Sequence, residues 1–299
     1  MKAVLLNGYG GVEQLTFEEY PDPQPSPGEV VVRVISTSVN PIDYKLRSGK
    51  MKEWVPLQFP DIPGRDVSGE VIQVGEGVTK FKPGDLVFGL VNHTYASLVR
   101  AKADDLSKIP TGLDPSEAGV LPLILQTGAQ LMEKGVQPRA GETVLVTGAA
   151  GSVGRTAVFV AKQHGATVVA GVRRKQIPEA QSLGADRVVA IDDDRDLGSI
   201  PALDAIADTV DGDTIARLLP RLKPSGRLAT VVGKPAAARN IDVREVYAKP
   251  DPARLYQLGE DFRDGRLKIP IARRLPLSDV REAQRVAESG VEGKVALVP

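Results

Sequence analysis

The sequence predicts an α/β protein in two parts, a partly open β-barrel and a doubly wound parallel sheet. Three observations predict it. Residues 1 to about 110 are strand-rich and punctuated by Gly and Pro, with no helices between the strands. From Asp114 the character changes, and strand and helix patterns alternate. Within that second part, Thr143 to Val172 reads as strand, glycine-rich turn, helix and strand in one unbroken unit.

Taken in order, Lys2 to Leu6, Glu29 to Ile35, Gly69 to Val74 and Asp85 to Phe88 read as strands. Pro21 to Pro27 is a rigid connector, and Lys82-Pro83-Gly84-Asp85 is a turn by its chemistry. Pro115 and Glu117 open a helix whose Ala-, Leu- and Gln-rich run reaches Lys134. Thr143 to Thr147 has three aliphatic positions in a row and no charge, the pattern of a strand covered on both faces. Glycines follow at 148, 151 and 154. From Ser152 the apolar Val153, Ala157, Val160 and Ala161 recur at helical spacing, Gly165 stops the helix, and Thr167 to Val172 is the next strand. Val188 to Ile191, Ala202 to Asp208 and Arg227 to Val232 are further strands, with a helix around Asp213 to Leu222. Leu255 to Gly265 and Leu277 to Ser289 read as helices and Gly293 to Val298 as a last strand, placed to rejoin the first domain.

Composition narrows the function classes. The 299 residues carry 38 acidic and 38 basic side chains, so no basic excess asks for nucleic acid and no charge block suggests a tail. No apolar run is long enough to span a bilayer, and Met1-Lys2-Ala3-Val4-Leu5 enters a strand rather than a signal peptide. There is no cysteine, which removes disulfides, thiol nucleophiles and thiolate zinc sites together. The two histidines, His93 and His164, cannot build a histidine-rich metal site. A cytoplasmic enzyme is the default.

A glycine-rich turn opening a helix is a ready anion site, because missing side chains let backbone approach a pyrophosphate and unpaired N–H groups point at it. An ordinary βαβ turn is the alternative; the flanking strand and helix favour a dinucleotide held by Gly148, Ala150, Gly151, Ser152, Val153 and Gly154. An Asp or Glu about 20 residues past the glycines would hold a ribose 2′-OH. That place carries Gly171, Val172, Arg173, Arg174 and Lys175 instead. Arg173 and Arg174 suit a 2′-phosphate and favour NADPH over NADH; a solvated basic turn is the other reading.

With these pieces placed, the whole chain resembles the medium-chain dehydrogenase/reductase superfamily, in its zinc-free quinone oxidoreductase branch. The resemblance rests on the shared order of several motifs. They are Val39-Asn40-Pro41-Ile42-Asp43-Tyr44, Ile62-Pro63-Gly64-Arg65-Asp66-Val67-Ser68-Gly69 and Phe81-Lys82-Pro83-Gly84-Asp85, then Leu121-Pro122 with Thr127. Ala149-Ala150-Gly151-Ser152-Val153-Gly154, Leu222-Lys223-Pro224-Ser225-Gly226-Arg227 and Gly293-Lys294-Val295 complete the set. It implies a GroES-like catalytic barrel, 1–115 completed by about 266–299, around a Rossmann domain at 116–265. It also implies a cofactor in the cleft, with Asn40, Tyr44 and Thr127 on one side and the glycine turn on the other, and a homodimer. Zinc members use a Cys, a His and a second Cys as metal ligands; the matching positions here are Asn40, Arg65 and Leu123, so no metal is expected. Without a Lewis acid an alkoxide is poorly stabilised, whereas reducing a quinone or an α,β-unsaturated carbonyl needs hydride delivery and a hydrogen-bond donor. A reductase of such acceptors is the expectation. The branch's tyrosine beside the 2′-phosphate falls at Ile191, leaving Arg173 and Arg174 to carry that contact.

Tyr44 and Asn40 are the catalytic candidates: Tyr44 as donor to the substrate oxygen or as packing in the cleft, Asn40 as an orienter of ribose or carbonyl or as a turn cap. Thr127 faces the nicotinamide or bonds its own helix. Val232 and Gly233 end a strand where backbone can approach the cofactor closely, with Lys234 to Ala238 as a loop over the nicotinamide. Lys294 reaches the cofactor or is solvated. Asp66 is expected to pair with Arg65 or Arg47, His93 to lie in a loop at the substrate mouth, and Trp54 to be a packing anchor or pocket wall. A short-chain dehydrogenase is excluded, since none of the six tyrosines has a lysine four residues on. A non-catalytic NADPH-binding sensor or structural protein on the same fold is the rival from another class.

Overall fold

The computed structural model describes residues 1–210, 212–238 and 241–299, and they divide into two compact units: Met1–Leu123 with Pro250–Pro299, and Ile124–Lys249. The chain runs through β1 (Lys2–Leu6), β2 (Leu15–Glu19), β3 (Glu29–Val39), α1 (Pro41–Arg47), β4 (Asp66–Val74), β5 (Leu86–Leu90), β6 (Leu98–Lys102), β7 (Leu106–Lys108) and α2 (Pro115–Ala118). It continues with α3 (Pro122–Gln130), β8 (Thr143–Thr147), α4 (Ser152–Gln163), β9 (Thr167–Val172), α5 (Ile177–Ala180), β10 (Arg187–Ala190), α6 (Asp194–Ser199), β11 (Leu203–Asp208), α7 (Thr214–Leu218), β12 (Leu222–Thr230) and β13 (Val243–Glu245). It closes with α8 (Pro252–Arg263), β14 (Ile271–Pro276), α9 (Val280–Glu288) and β15 (Lys294–Val298).

The first unit is organised by β3. Its 11 residues are long enough to change partners along one edge: Glu29–Arg33 pair with β6, and Thr37–Val39 pair with β15, while β4 lies along the other edge. The sheet therefore forks at β3, which makes the GroES-like barrel a partly open one. Val30, Val32, Val67, Val71, Phe81, Val87 and Leu106 fill its interior. The last strand is built into this unit by its antiparallel pairing with β3.

The second unit is a parallel six-stranded sheet in the order β10-β9-β8-β11-β12-β13. β8 sits at its centre, which explains why Val144, Leu145 and Val146 are all fully buried. The connections reverse direction beside β8, and such a switch point opens a crevice at the carboxyl ends of the strands. The glycine turn leaves from that end. This is a Rossmann arrangement.

Several expectations move. Glu29 to Ile35 extends to Val39, the strand expected from Gly69 begins at Asp66, and the one expected over Arg227 to Val232 runs Leu222–Thr230. α1 breaks the helix-free first part; its seven residues are too short for a clear period, and Pro41 with the Asp43 carboxylate on the Asn40 N–H starts it. The domain junctions shift as well, since 116–123 and 250–265 belong to the first unit. Glycines explain why: a Cβ at Gly119 would lie 2.5 Å from Ser36 O, and one at Gly259 would lie 3.1 Å from Phe88, so both segments pack directly onto barrel strands. Arg239 and Asn240, directly after the Lys234 to Ala238 segment, lie outside the described residues.

Candidate functional site

In the second unit the site is made of backbone. Gly148 leaves β8 with φ +59°, a left-handed conformation that favours glycine, and a Cβ there would meet Thr209 Oγ1 at 2.6 Å. Gly151 precedes α4, and its N–H donates to Gly148 O (2.9 Å). A Cβ at Gly154 would stand 2.2 Å from Gly148 O and 2.7 Å from Ala149 Cα, so only glycine lets the first turn of α4 sit this close to the loop. The N–H groups of Ser152, Val153 and Gly154 open α4, and no helical carbonyl lies four residues back to receive them. Oxyanions fit such a cradle, which has donors, a helix dipole and no side chains in the way. Thr127 is half-buried on α3, beside Gly128, whose Cβ would meet Val153 O at 2.7 Å; α3 and the start of α4 are thus in contact.

The carboxyl ends of the strands are laced together. Asp208 accepts from Thr147 Oγ1 (2.9 Å), Thr230 Oγ1 (3.1 Å) and the Val210 N–H (3.2 Å), tying β8, β11 and β12 at one level. Val232 N–H donates to Thr230 Oγ1 (3.2 Å), and Gly233 has φ +105°. Beyond β9, Arg173, Arg174 and Lys175 are exposed. Arg174 is already engaged: its guanidinium bonds Asp193 (2.6 and 3.0 Å) and reaches Asp196 (3.3 Å), and its N–H donates to Asp192 (2.9 Å). The hydrogen bond and charge of Asp193 raise the Arg174 pKa further.

In the first unit the candidates are made of side chains. Asp66, fully buried, accepts from Ser38 Oγ (2.5 Å), Asn40 Nδ2 (2.7 Å) and the Leu123 N–H (2.6 Å). Lys294 is also buried; it donates to Asn40 Oδ1 (2.5 Å) and Val39 O (3.1 Å) and lies 3.8 Å from Asp66. Burial pulls the Lys294 pKa down, and Asp66 and Asp43 push it back up. Asp43 accepts from Tyr95 Oη (2.8 Å) and from the Asn40 N–H (2.8 Å), while its Oδ1 has no partner among the described residues. Desolvation pushes the Asp43 carboxyl up to about 6, against the pull of those two donors. Tyr44 is half-buried against the cluster of Val4, Leu6, Leu15, Val39 and Tyr95. Burial, then the charges of Glu288 and Asp43, push its phenol up, so it stays a protonated donor at neutral pH.

Comparisons with known proteins bear on both units. The alcohol dehydrogenase GroES-like domain family matches residues 26–112, and the zinc-binding dehydrogenase family matches residues 183–297. The chloroplast envelope quinone oxidoreductase homolog of Arabidopsis thaliana is 29% identical across 100% of this chain and 98% of its own length. An NADPH-dependent alkenal/one oxidoreductase of the same plant is 33% identical over 63% of this chain and 52% of its own. The quinone oxidoreductase structure from Coxiella burnetii superposes with a TM-score of 0.90 at 28% identity, covering 100% of this chain and 99% of that one. The chain belongs to the medium-chain dehydrogenase/reductase superfamily, in its quinone oxidoreductase-like branch. It is an oxidoreductase.

Against this family background the predicted residues separate clearly. Gly148, Ala150, Gly151, Ser152, Val153 and Gly154 come together as one loop and helix start, with Thr127 on the neighbouring helix. Val232 and Gly233 follow the strand end rather than forming it. Asn40 and Lys294 come together too, but they point inward at each other, so the solvated reading of Lys294 is corrected. Asp66 pairs with neither Arg65 nor Arg47; Arg47 reaches Gln284 (2.6 Å) and Glu288 (3.0 Å) on α9. His93 bonds Ile62 O (2.9 Å) and Asp61 (3.2 Å), and the hydrogen bond to Asp61 raises its pKa. Trp54 is 75% exposed, so it is no packing anchor. Among the described residues no three His, Asp or Glu side chains gather to hold a metal, and no helix is long and apolar enough to cross a membrane. Sequence reasoning missed the roles of Ser38, Tyr95 and Asp208. The available signal was a carboxylate ending an apolar strand, Leu203–Asp208.

Proposed function

We propose that this oxidoreductase transfers hydride from NADPH to a quinone or an α,β-unsaturated carbonyl, with no metal taking part. The observation that carries the reading is the backbone cradle at Gly148–Gly154, followed one strand later by three exposed cations and no carboxylate at that strand's end. The nicotinamide cofactor supplies the hydride when bound. In this chain, Ser152, Val153 and Gly154 N–H groups would hold its phosphates, with Thr127, Ala150, Val232 and Gly233 lining the backbone approach. Arg173 would take the 2′-phosphate first, because its neighbour Arg174 must leave Asp193 to do so.

Tyr44 would donate to the acceptor's oxygen as negative charge develops on it. Its elevated pKa keeps the proton in place until then. Asn40 and Lys294 act as positioning groups in this reading, since their polar atoms are consumed inside the cluster that fixes the start of α1 and hence Tyr44. The same donor set supports metal-free chemistry: Lys294 already supplies the cation that faces Asp66. The test is NADPH oxidation against a panel of quinones, alkenals and vinyl ketones, with NADH as control. Turnover with NADPH and little with NADH is expected; no oxidation with any acceptor would overturn the reductase, and equal use of NADH would overturn the role of Arg173.

A further inference from the structure

Arg65 differs from three other arginines that are partly or fully buried. Arg47, Arg155 and Arg227 each bond a carboxylate, those of Glu288, Glu179 and Glu142. Arg65 bonds none. Its Nε is fully buried without a hydrogen-bond partner, and among the described residues its guanidinium makes no ion pair, although the residue as a whole is half-buried. The carboxylate beside it in sequence is not available, because Asp66 is spent on Ser38, Asn40, Leu123 and Lys294. Asp61, on the same loop, is engaged with His93. Charged groups are seldom buried unpaired, and a buried orphan donor on a guanidinium is a place where an anion belongs.

Its position is also defined. Arg65 O accepts from the Val91 N–H (2.9 Å), which fixes the backbone between β4 and the loop that carries His93. Gly64, with φ +100°, packs so closely on Thr94 and Tyr95 that a Cβ there would clash at 2.4 and 2.5 Å, so only glycine lets the segment lie against them. The next residue, Asp66, grips the Asn40 side chain at the start of α1, the helix that carries Tyr44. Two donors without partners among the described residues, the Tyr44 hydroxyl and the Arg65 guanidinium, are therefore anchored to one hub.

We propose that Arg65 reads an anionic group on the acceptor, so that quinones or enones bearing a carboxylate are preferred over neutral ones. The inference rests on the reductase reading above and assigns its substrate class. A guanidinium offers a planar fork that a carboxylate matches with two parallel hydrogen bonds, and Lys keeps only the charge.

The experiment compares a naphthoquinone carrying a carboxylate side chain with its methyl ester, for the wild-type chain, Arg65→Gln and Arg65→Lys, with NADPH as donor. In Arg65→Gln the KM for the carboxylate is expected to rise at least about tenfold, while the KM for the ester moves less than about twofold. Arg65→Lys should fall between, and it keeps the comparison readable should the glutamine variant not fold. Equal losses on both acceptors, or no change on either, would overturn the inference and leave the reductase standing. If the wild-type chain turns over neither acceptor, the reductase reading fails, and calorimetric binding of the carboxylate quinone decides the rest. Binding that is lost in Arg65→Gln supports the anion site, and equal or absent binding in both proteins overturns it.

Discussion

The glycine turn of the second unit and the polar hub of the first do comparable jobs by opposite means. The turn presents backbone N–H groups from residues that follow one another along the chain, and its shape depends on side chains being absent. The hub is mostly side chain: Ser38, Asn40, Asp66 and Lys294 meet, with the Leu123 N–H, from segments far apart in the sequence. A site made of absent side chains is local and tolerant of distant change. A site made of buried charges is only as good as its least satisfied member.

The largest effect expected is on stability, at the hub. Asp66→Leu leaves Lys294 buried without its counter-charge and should lower the unfolding free energy by about 3–5 kcal/mol, as read by urea denaturation. The double variant Asp66→Leu with Lys294→Met should recover a substantial part of that loss. If the single and double changes simply add, the hub is a set of independent bonds and the contrast with the turn fails.

Gly154→Ala comes next and acts at the turn. The new Cβ meets Gly148 O and Ala149 Cα, so α4 must retreat from the loop, costing about 1–3 kcal/mol and weakening NADPH binding by more than about tenfold. Gly151→Ala is the matched control. Its Cβ approaches Gly148 O at 3.2 Å, and its φ of −74° suits any residue, so the fold should hold while only the ligand's approach is hindered. Calorimetry with NADPH alongside thermal melts separates the two outcomes.

The third prediction concerns pH. The folded Asp43 carboxyl titrates near 6, above its unfolded value of 3.8, because burial disfavours the charged form. Its favourable contribution is fully present below about pH 4 and is lost as the pH rises through about 6. Asp66, Lys294 and Tyr95 face it, and all three remain when it is changed. Asp43→Asn, which keeps an acceptor for Tyr95 and Asn40, should therefore gain stability relative to wild type between pH 4 and 7, by up to about 3 kcal/mol. Paired melts at the two ends of that window check it, and a constant difference would mean that Asp43 does not titrate there.

The smallest effects separate two neighbouring cations. Arg173→Ala should reduce the NADPH-over-NADH preference by about tenfold, and Arg174→Ala by less, since Asp193 and Asp196 already hold Arg174. The reverse order would show that Arg174 is released on binding.

Much of the second unit was legible in the sequence, and the hub was not. The glycine spacing, the apolar strand before it and the amphipathic helix after it are local signals, and the observed β8, α4 and β9 have the expected limits to within two residues. Asp66 is the opposite case. Two arginines stood ready as partners in the sequence, yet it bonds neither, because the fold carries β15 onto β3 and delivers Lys294 instead. Arg174 repeats the lesson on the surface, where β10 runs beside β9 and brings Asp193 within reach of a cation expected to await a phosphate.

By itself, the sequence determined the family, the order of the two architectures and the glycine turn, because each depends on backbone conformation set by residues within a few positions. Only the tertiary structure decided which charges are paired. Partner choice among buried ions depends on which distant strands the sheet places side by side, and on which group can then lose water at the least cost. That choice commits Lys294 to Asp66 and leaves Arg65 without a carboxylate.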